Sequence, residues 1–299
     1  MKNHILKILI FIFAINLSYS QAWMTSLDIA QNLALAQNKM VLMVWEETTM
    51  YPYPILVNDN TGRTLIVNDL FTDETLSPLI WEHFIPVIVK ENKYEDLYAK
   101  VKGKRRQRYM DKFNDDSIKI MDANGFIINV SGSSDEFQNI TEIIEKYALS
   151  TEFISTELNN YKEDKTFYSA FFLASKYMDF SIYSRNKTRK ALMDMANIYL
   201  YEAKNILSVS KDKDKPKLEQ RLELLSMQEY LILDRPKKVL RQLKRMEKDG
   251  IDSSNRSFAA FLYFTVSKLL NNEDDMKQWK SEVSSLNLKK AQLIYNINS

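Results

Sequence analysis

The stretch VLMVWEETTMYPYP, Val41 to Pro54, decides how the first half of this chain is read. With Met40 in front, Val41 to Trp45 is an unbroken apolar run of strand length, the pattern of a strand covered on both faces. A polar step, Glu46-Glu47-Thr48-Thr49, ends it. Met50, Tyr51, Pro52, Tyr53 and Pro54 follow, an aromatic and proline cluster on a predicted turn. A buried strand that opens into a turn carrying large apolar side chains raises the question of what that turn touches.

Outward from this stretch the elements alternate. Ser26 to Asn38 spaces Leu27, Ala30, Leu33, Ala34 and Ala36 as one helical face, with Thr25 or Ser26 as cap. ILVNDNTGRTLIV, Ile55 to Val67, sets a polar Asn-Asp-Asn-Thr-Gly turn between two β-branched runs and predicts a hairpin. DETLSPLIWEHF predicts a helix with Asp73 and Glu74 in its first turn, where the helix dipole favours them. IPVIVK is a second buried strand. DSIKIMDANGFIINV predicts two strands joined across Ala123-Asn124-Gly125, and DEFQNITEIIEKYAL a closing helix with Phe137, Ile140, Ile144 and Tyr147 on one face.

Three of these pieces resemble the thioredoxin-like fold of secreted proteins: the strand and turn of Val41 to Pro54, the helix and strand of Leu70 to Val89, and the hairpin DANGFIINVSG. The resemblance spans Gln21 to Leu149. It places Met50-Tyr51-Pro52-Tyr53 on the family's Cys-Gly-Pro-Cys positions, so the proline is kept and both sulfurs are gone. Thiol–disulfide exchange needs a thiolate. The chain contains no cysteine, so that activity is excluded. The family also places a cis-proline just before the strand that leads into the hairpin. Asp116-Ser117 stands there in this chain, and a non-proline cis bond costs about 3 kcal/mol, so a trans peptide is expected. The Ile55–Val67 hairpin is a further departure, since the family runs its active-site helix there.

Composition bounds the rest. The 299 residues are 45% hydrophobic and 27% charged, an ordinary globular balance. Residues 1–20 carry a basic head, the apolar run ILIFIFAINL and small residues in SYS before Gln21, the pattern of a cleaved secretory signal. The apolar run falls short of the roughly 20 residues that cross a bilayer. Loss of Lys2 and Lys7 takes 41 basic residues to 39, against 39 acidic ones. A mature chain of about zero net charge does not point to nucleic acid as partner. His4 goes too, leaving His83 at a predicted helix end. With one histidine and no cysteine, thiol chemistry, Cys/His zinc sites and two-histidine triads fall away, and no cofactor is assigned.

The candidate sites are few. Lys100 to Tyr109, KVKGKRRQRY, holds six basic residues and no acid. Its Lys104, Arg105, Arg106 and Arg108 are read either as a docking patch for an acidic partner or as a solvated loop. Met50, Tyr51, Pro52 and Tyr53 are read either as a partner-binding tip or as local core over the hairpin. Asp59, Asn60, Asp69 and Asp73 lack calcium-loop spacing and fit turn chemistry. A rival enzymatic reading gathers Glu46, Glu47 and Asp116 into a carboxylate site.

Glycine marks the organisation: four of five precede residue 133. A turn-rich α/β domain, 21–149, is therefore expected before an all-helical one, 150–299. Amphipathic stretches begin at Thr166, Arg189, Lys217, Pro236, Ser257 and Asp274. MQEYLILDRPKKVLRQL and FLYFTVSKLLNNEDDMKQWK resemble two copies of one helical hairpin about 36 residues apart, near the tetratricopeptide (TPR) period. The stripe Phe167, Tyr168, Phe171, Phe172, Tyr177, Met178 reads as core. The expectation is a secreted or periplasmic, redox-inactive thioredoxin-like domain followed by a TPR-like helical domain. It would bind a protein or peptide as scaffold, adaptor or chaperone-like module, with no transmembrane segment in the mature chain.

Overall fold

A computed structural model describes residues 22–130 and 137–299. The leader-like segment 1–20 and Gly132 lie outside the described residues. The chain divides into two compact units at Ser150/Thr151. The first is mixed α/β with small sheets, and the second is mostly helical.

The first unit is built around β1 (Met40–Trp45), all six residues of which are buried. Helix α1 (Leu27–Gln37) precedes it, capped by Ser26, whose Oγ accepts the Ile29 N–H. Only Ala30 and Ala34 of the predicted face are fully buried, because small side chains set the helix close. Asn38 ends α1 in the left-handed region at φ 55°, and the chain turns straight into β1. β1 pairs in parallel with β4 (Phe84–Val89), Met40 opposite Phe84 and Trp45 opposite Val89. Its other edge pairs antiparallel with β5 (Lys119–Met121), Met43 opposite Lys119. Met24 adds a parallel bridge beside Val87. A second small sheet has the order β3-β2-β6: β2 (Ile55–Asn58) and β3 (Thr64–Val67) form the expected antiparallel hairpin, and β6 (Gln138–Asn139) runs parallel to β2.

Helix α2 (Leu76–His83) is shorter than its predicted stretch. Asp73 lies before it, where its carboxylate accepts the Thr75 and Leu76 N–H groups at 2.9 and 3.2 Å. Two helices, α3 (Tyr94–Val101) and α4 (Gln107–Asn114), occupy what the sequence presents as a charged connection. The closing helix α5 spans Ile140–Tyr147 and buries Ile140, Ile143 and Tyr147. Gln138 and Asn139 are strand instead of helix, and the Asn139 side chain caps α5 through the Glu142 N–H.

The final hairpin has only one regular arm. Its tip is a turn in which the Gly125 N–H donates to the Asp122 carbonyl at 2.9 Å. Gly125 has φ +83°, a backbone conformation that favours glycine; a Cβ there would meet only the movable end of the Gln31 side chain on α1. Beyond the turn Ile127 makes one bridge to Met121. Asn129 then replaces the ladder with its side chain: Oδ1 accepts the Ile120 N–H at 2.8 Å and Nδ2 donates to the Ile118 carbonyl at 2.9 Å.

Eight α-helices make up the second unit: α6 (Ser155–Glu163), α7 (Phe167–Tyr183), α8 (Asn186–Val209), α9 (Lys215–Ile232), α10 (Pro236–Asp249), α11 (Arg256–Leu269), α12 (Glu273–Lys280) and α13 (Ser285–Asn296). Tyr161, Tyr177 and Tyr199 pack at its centre, the last two stacked at 5.5 Å. Phe167, Phe171, Tyr177 and Met178 of the aromatic stripe are core; Tyr168 and Phe172 are exposed. The hairpins α9–α10 and α11–α12 close with the same turn. Asp234 and Asn271 take φ 54° and 55°. The next residues, Arg235 and Asn272, donate N–H to the Tyr230 and Ser267 carbonyls at 2.8 Å in each case. This is the six-to-one bond of a Schellman cap. No helix among the described residues is long and apolar enough to cross a membrane.

Candidate functional site

β1 delivers the chain to a 3-10 turn, Glu46–Thr49. Thr49 Oγ1 donates to the Glu46 carbonyl at 2.8 Å and closes it from within. Thr48 Oγ1 donates to the Asp116 carbonyl at 3.2 Å, so the turn after β1 meets the loop before β5. At the exit, the Tyr53 N–H donates to Asp69 Oδ1 at 3.2 Å, and the Leu70 N–H donates to the Tyr53 carbonyl at 2.9 Å. Between these ties Met50 and Tyr51 stand out, 67% and 78% exposed. Pro52 is exposed beside them.

Tyr53 behaves differently from its neighbours. Its hydroxyl donates to Gln138 Oε1 at 2.8 Å, and its ring lies 6.1 Å from that of Phe71. Burial, with Asp115 nearby, pushes its phenol up to about 12. Gln138 Oε1 also accepts the Ile118 N–H at 2.8 Å. Tyr53 therefore pins the turn to β6 and to the start of β5. The turn cluster divides accordingly: Met50, Tyr51 and Pro52 face solvent, whereas Tyr53 is local core.

The loop opposite is shaped by two lysines that the sequence reading did not single out. Lys119, 0% exposed, opens β5, the outer strand of its sheet, all three residues of which are buried. Its ammonium donates to the Asp115 carbonyl, to Asp115 Oδ1 at 3.2 Å and to the Ser117 carbonyl at 2.8 Å. Lys112, also buried, donates to Ser117 Oγ, which in turn donates to Asp115 Oδ1 at 2.5 Å. Two cations thus share one carboxylate. Burial pulls the Lys119 ammonium down to about 8 against the opposing pull of Asp115, and pulls Lys112 down as well. These contacts hold Asp115–Ser117 in place with trans peptides; no cis bond occurs among the described residues. The signal in the sequence was a lysine inside the apolar run Ile118 to Met121, where strand alternation alone would put it in solvent.

The basic cluster is divided by its own packing. Lys104, Arg106 and Arg108 are exposed. Arg105 is not a free docking cation: its guanidinium lies 4.9 Å from the Phe126 ring and 5.9 Å from the Tyr109 ring. Tyr109 beneath it accepts the Ile127 N–H at 3.1 Å, and burial holds its phenol at about 12. These cations stand at the start of α4. The Met50–Tyr51 turn stands at its end, where Trp45 Nε1 donates to the Phe113 carbonyl at 2.9 Å. An eight-residue helix is about 12 Å long, so the two predicted patches lie at opposite ends of α4.

Of the rival carboxylates, Glu47 and Asp116 are exposed and Glu46 is half-buried at the turn's rim. The acid turns are accounted for by hydrogen bonds. Asp59 Oδ1 accepts from the Thr61 hydroxyl at 2.7 Å and from the Arg63 and Thr61 N–H groups at 2.9 and 2.8 Å, which holds its carboxyl below the usual range. Among the described residues no three His, Cys, Asp or Glu gather as metal ligands would. Comparison with protein families, with curated proteins and with solved structures returned no match to this chain.

Proposed function

We propose that the chain is an exported, redox-inactive module of thioredoxin-like type joined to a TPR-like helical unit, and that it acts by binding extended segments of other proteins. The exposed pair Met50 and Tyr51 on a turn tied at both ends carries this reading. Exposed side chains of this kind are favoured at interfaces, and a fixed turn loses little entropy when a partner covers it. The thioredoxin-like assignment is supported by β5 lying beside β1, so that the loop before one meets the turn after the other. The absence of cysteine removes redox chemistry from that surface and leaves binding. The TPR-like assignment is supported by the two helical hairpins with identical closing turns. Export rests on the leader-like segment 1–20.

Peptide-array binding tests the reading. Met50→Ala plus Tyr51→Ala, with Tyr53 retained, is expected to weaken the best-bound extended peptides by about 1–3 kcal/mol, roughly 5- to 150-fold, with an unchanged circular dichroism spectrum. Equal affinity in the double variant contradicts it.

A further inference from the structure

β3 is the outer strand of its sheet, and nothing among the described residues pairs with its free edge. Such edges are commonly blunted by lysine, proline or a bulge. This one reads Thr64-Leu65-Ile66-Val67, with Leu65 and Ile66 52% and 63% exposed. The hydrogen-bond phase of the hairpin fixes which groups face outward. The Asp59 N–H donates to the Arg63 carbonyl at 2.8 Å, so Arg63, Leu65 and Val67 turn their backbone groups toward β2. Thr64 and Ile66 therefore turn theirs to the open edge. Charge flanks the strand with opposite signs. Arg63 precedes it, its guanidinium donating to the Thr61 hydroxyl at 3.1 Å and to no carboxylate among the described residues. Asp69 follows it, its carboxylate accepting the Tyr53 and Phe71 N–H groups and the Thr72 hydroxyl, with no cation beside it among the described residues.

We infer that β3 pairs antiparallel with β3 of a second copy of this chain, about a two-fold axis at Ile66. The outward phase admits Ile66 opposite Ile66 as a hydrogen-bonded pair, and the flanking charges select that register among those the phase admits. It sets Thr64 opposite Asn68 and Arg63 opposite Asp69, so that two side chains with no ion-pair partner among the described residues face a charge of opposite sign, twice per dimer. A basic start, an apolar middle and an acidic end make the strand its own complement, as an isologous contact requires. A four-residue ladder is short, so the association is concentration-dependent at the low end of interface sizes.

Because the chain has no cysteine, single substitutions report the register without background. In a hydrogen-bonded antiparallel pair the Cα atoms are about 5.5 Å apart, within the roughly 4.4–6.8 Å that a disulfide spans. Ile66→Cys should oxidise to a covalent dimer at least ten times faster than Leu65→Cys, whose mate across the axis is displaced by two residues. Sedimentation of the unmodified protein should show a monomer–dimer equilibrium that Ile66→Lys and Arg63→Glu each shift at least tenfold toward monomer. Equal oxidation of the two cysteine variants overturns the register. A protein monomeric at every concentration, or one that pairs β3 only with an added peptide, overturns the second copy as occupant.

Discussion

At the scale of single residues, Lys119 is a side chain that strand alternation places wrongly. A lysine between Ile118 and Ile120 reads as the solvent side of an alternating strand. It is buried because β5 is covered on both faces, and because the bend at Asp115–Ser117 offers two carbonyls and a carboxylate to its ammonium. That environment has a signature in pH. The folded ammonium releases its proton near 8, the unfolded one near 10.5. Between these values the unfolded chain binds more protons, so stability rises with pH. The lowered Lys112 acts in the same direction. Tyr53 and Tyr109 act oppositely: their phenols are raised from 10 to about 12, so the stability they add is lost only above pH 10. The window from pH 8 to 9.5 therefore isolates the lysines. Urea unfolding should show a gain of roughly 1–2 kcal/mol across it, and Lys119→Met should remove most of that slope. A flat profile, or an undiminished slope in the variant, speaks against the assignment.

At the scale of elements, apolar periodicity located β1, β4, the β2–β3 hairpin and the long helices of the second unit. It missed α3 and α4, because YEDLYAKV and QRYMDKFN are short and mostly polar and bury only part of one face. It missed α6 for the same reason, and α13, half of whose residues are apolar, because only Ala291 and Ile294 of it are buried. It overran at Gln138-Asn139, where pairing with β2 competes with helix extension and wins. The two helical hairpins that the sequence presents as similar share a closing backbone conformation, and no side-chain signature marks it. Asp234 and Asn271 hold the left-handed position, which a β-carbon strains and which asparagine and aspartate tolerate best after glycine. Asn271→Ala should cost about 1 kcal/mol, and Asn271→Gly should be neutral or stabilising, in thermal unfolding. Equal effects of the two substitutions would remove the strain argument.

Seen whole, the molecule is a mixed α/β unit followed by a helical one, and that much follows from where glycines fall and where the hydrophobic period changes. The candidate surface was half legible. Met50 and Tyr51 stand exposed as an interface tip requires, while Tyr53 and Arg105, which sequence grouped with docking residues, are spent on Gln138 and on Phe126. Only three-dimensional neighbours distinguish them, since neither Gln138 nor Phe126 is close in sequence. The proposed binding function is tested most directly by placing a photoreactive phenylalanine at position 51 and, separately, at the exposed Tyr201 of α8. Each variant is irradiated with the best peptide from the array. The account predicts covalent adducts from position 51, suppressed by excess unlabelled peptide. Adducts from position 201 with none from position 51 would contradict it.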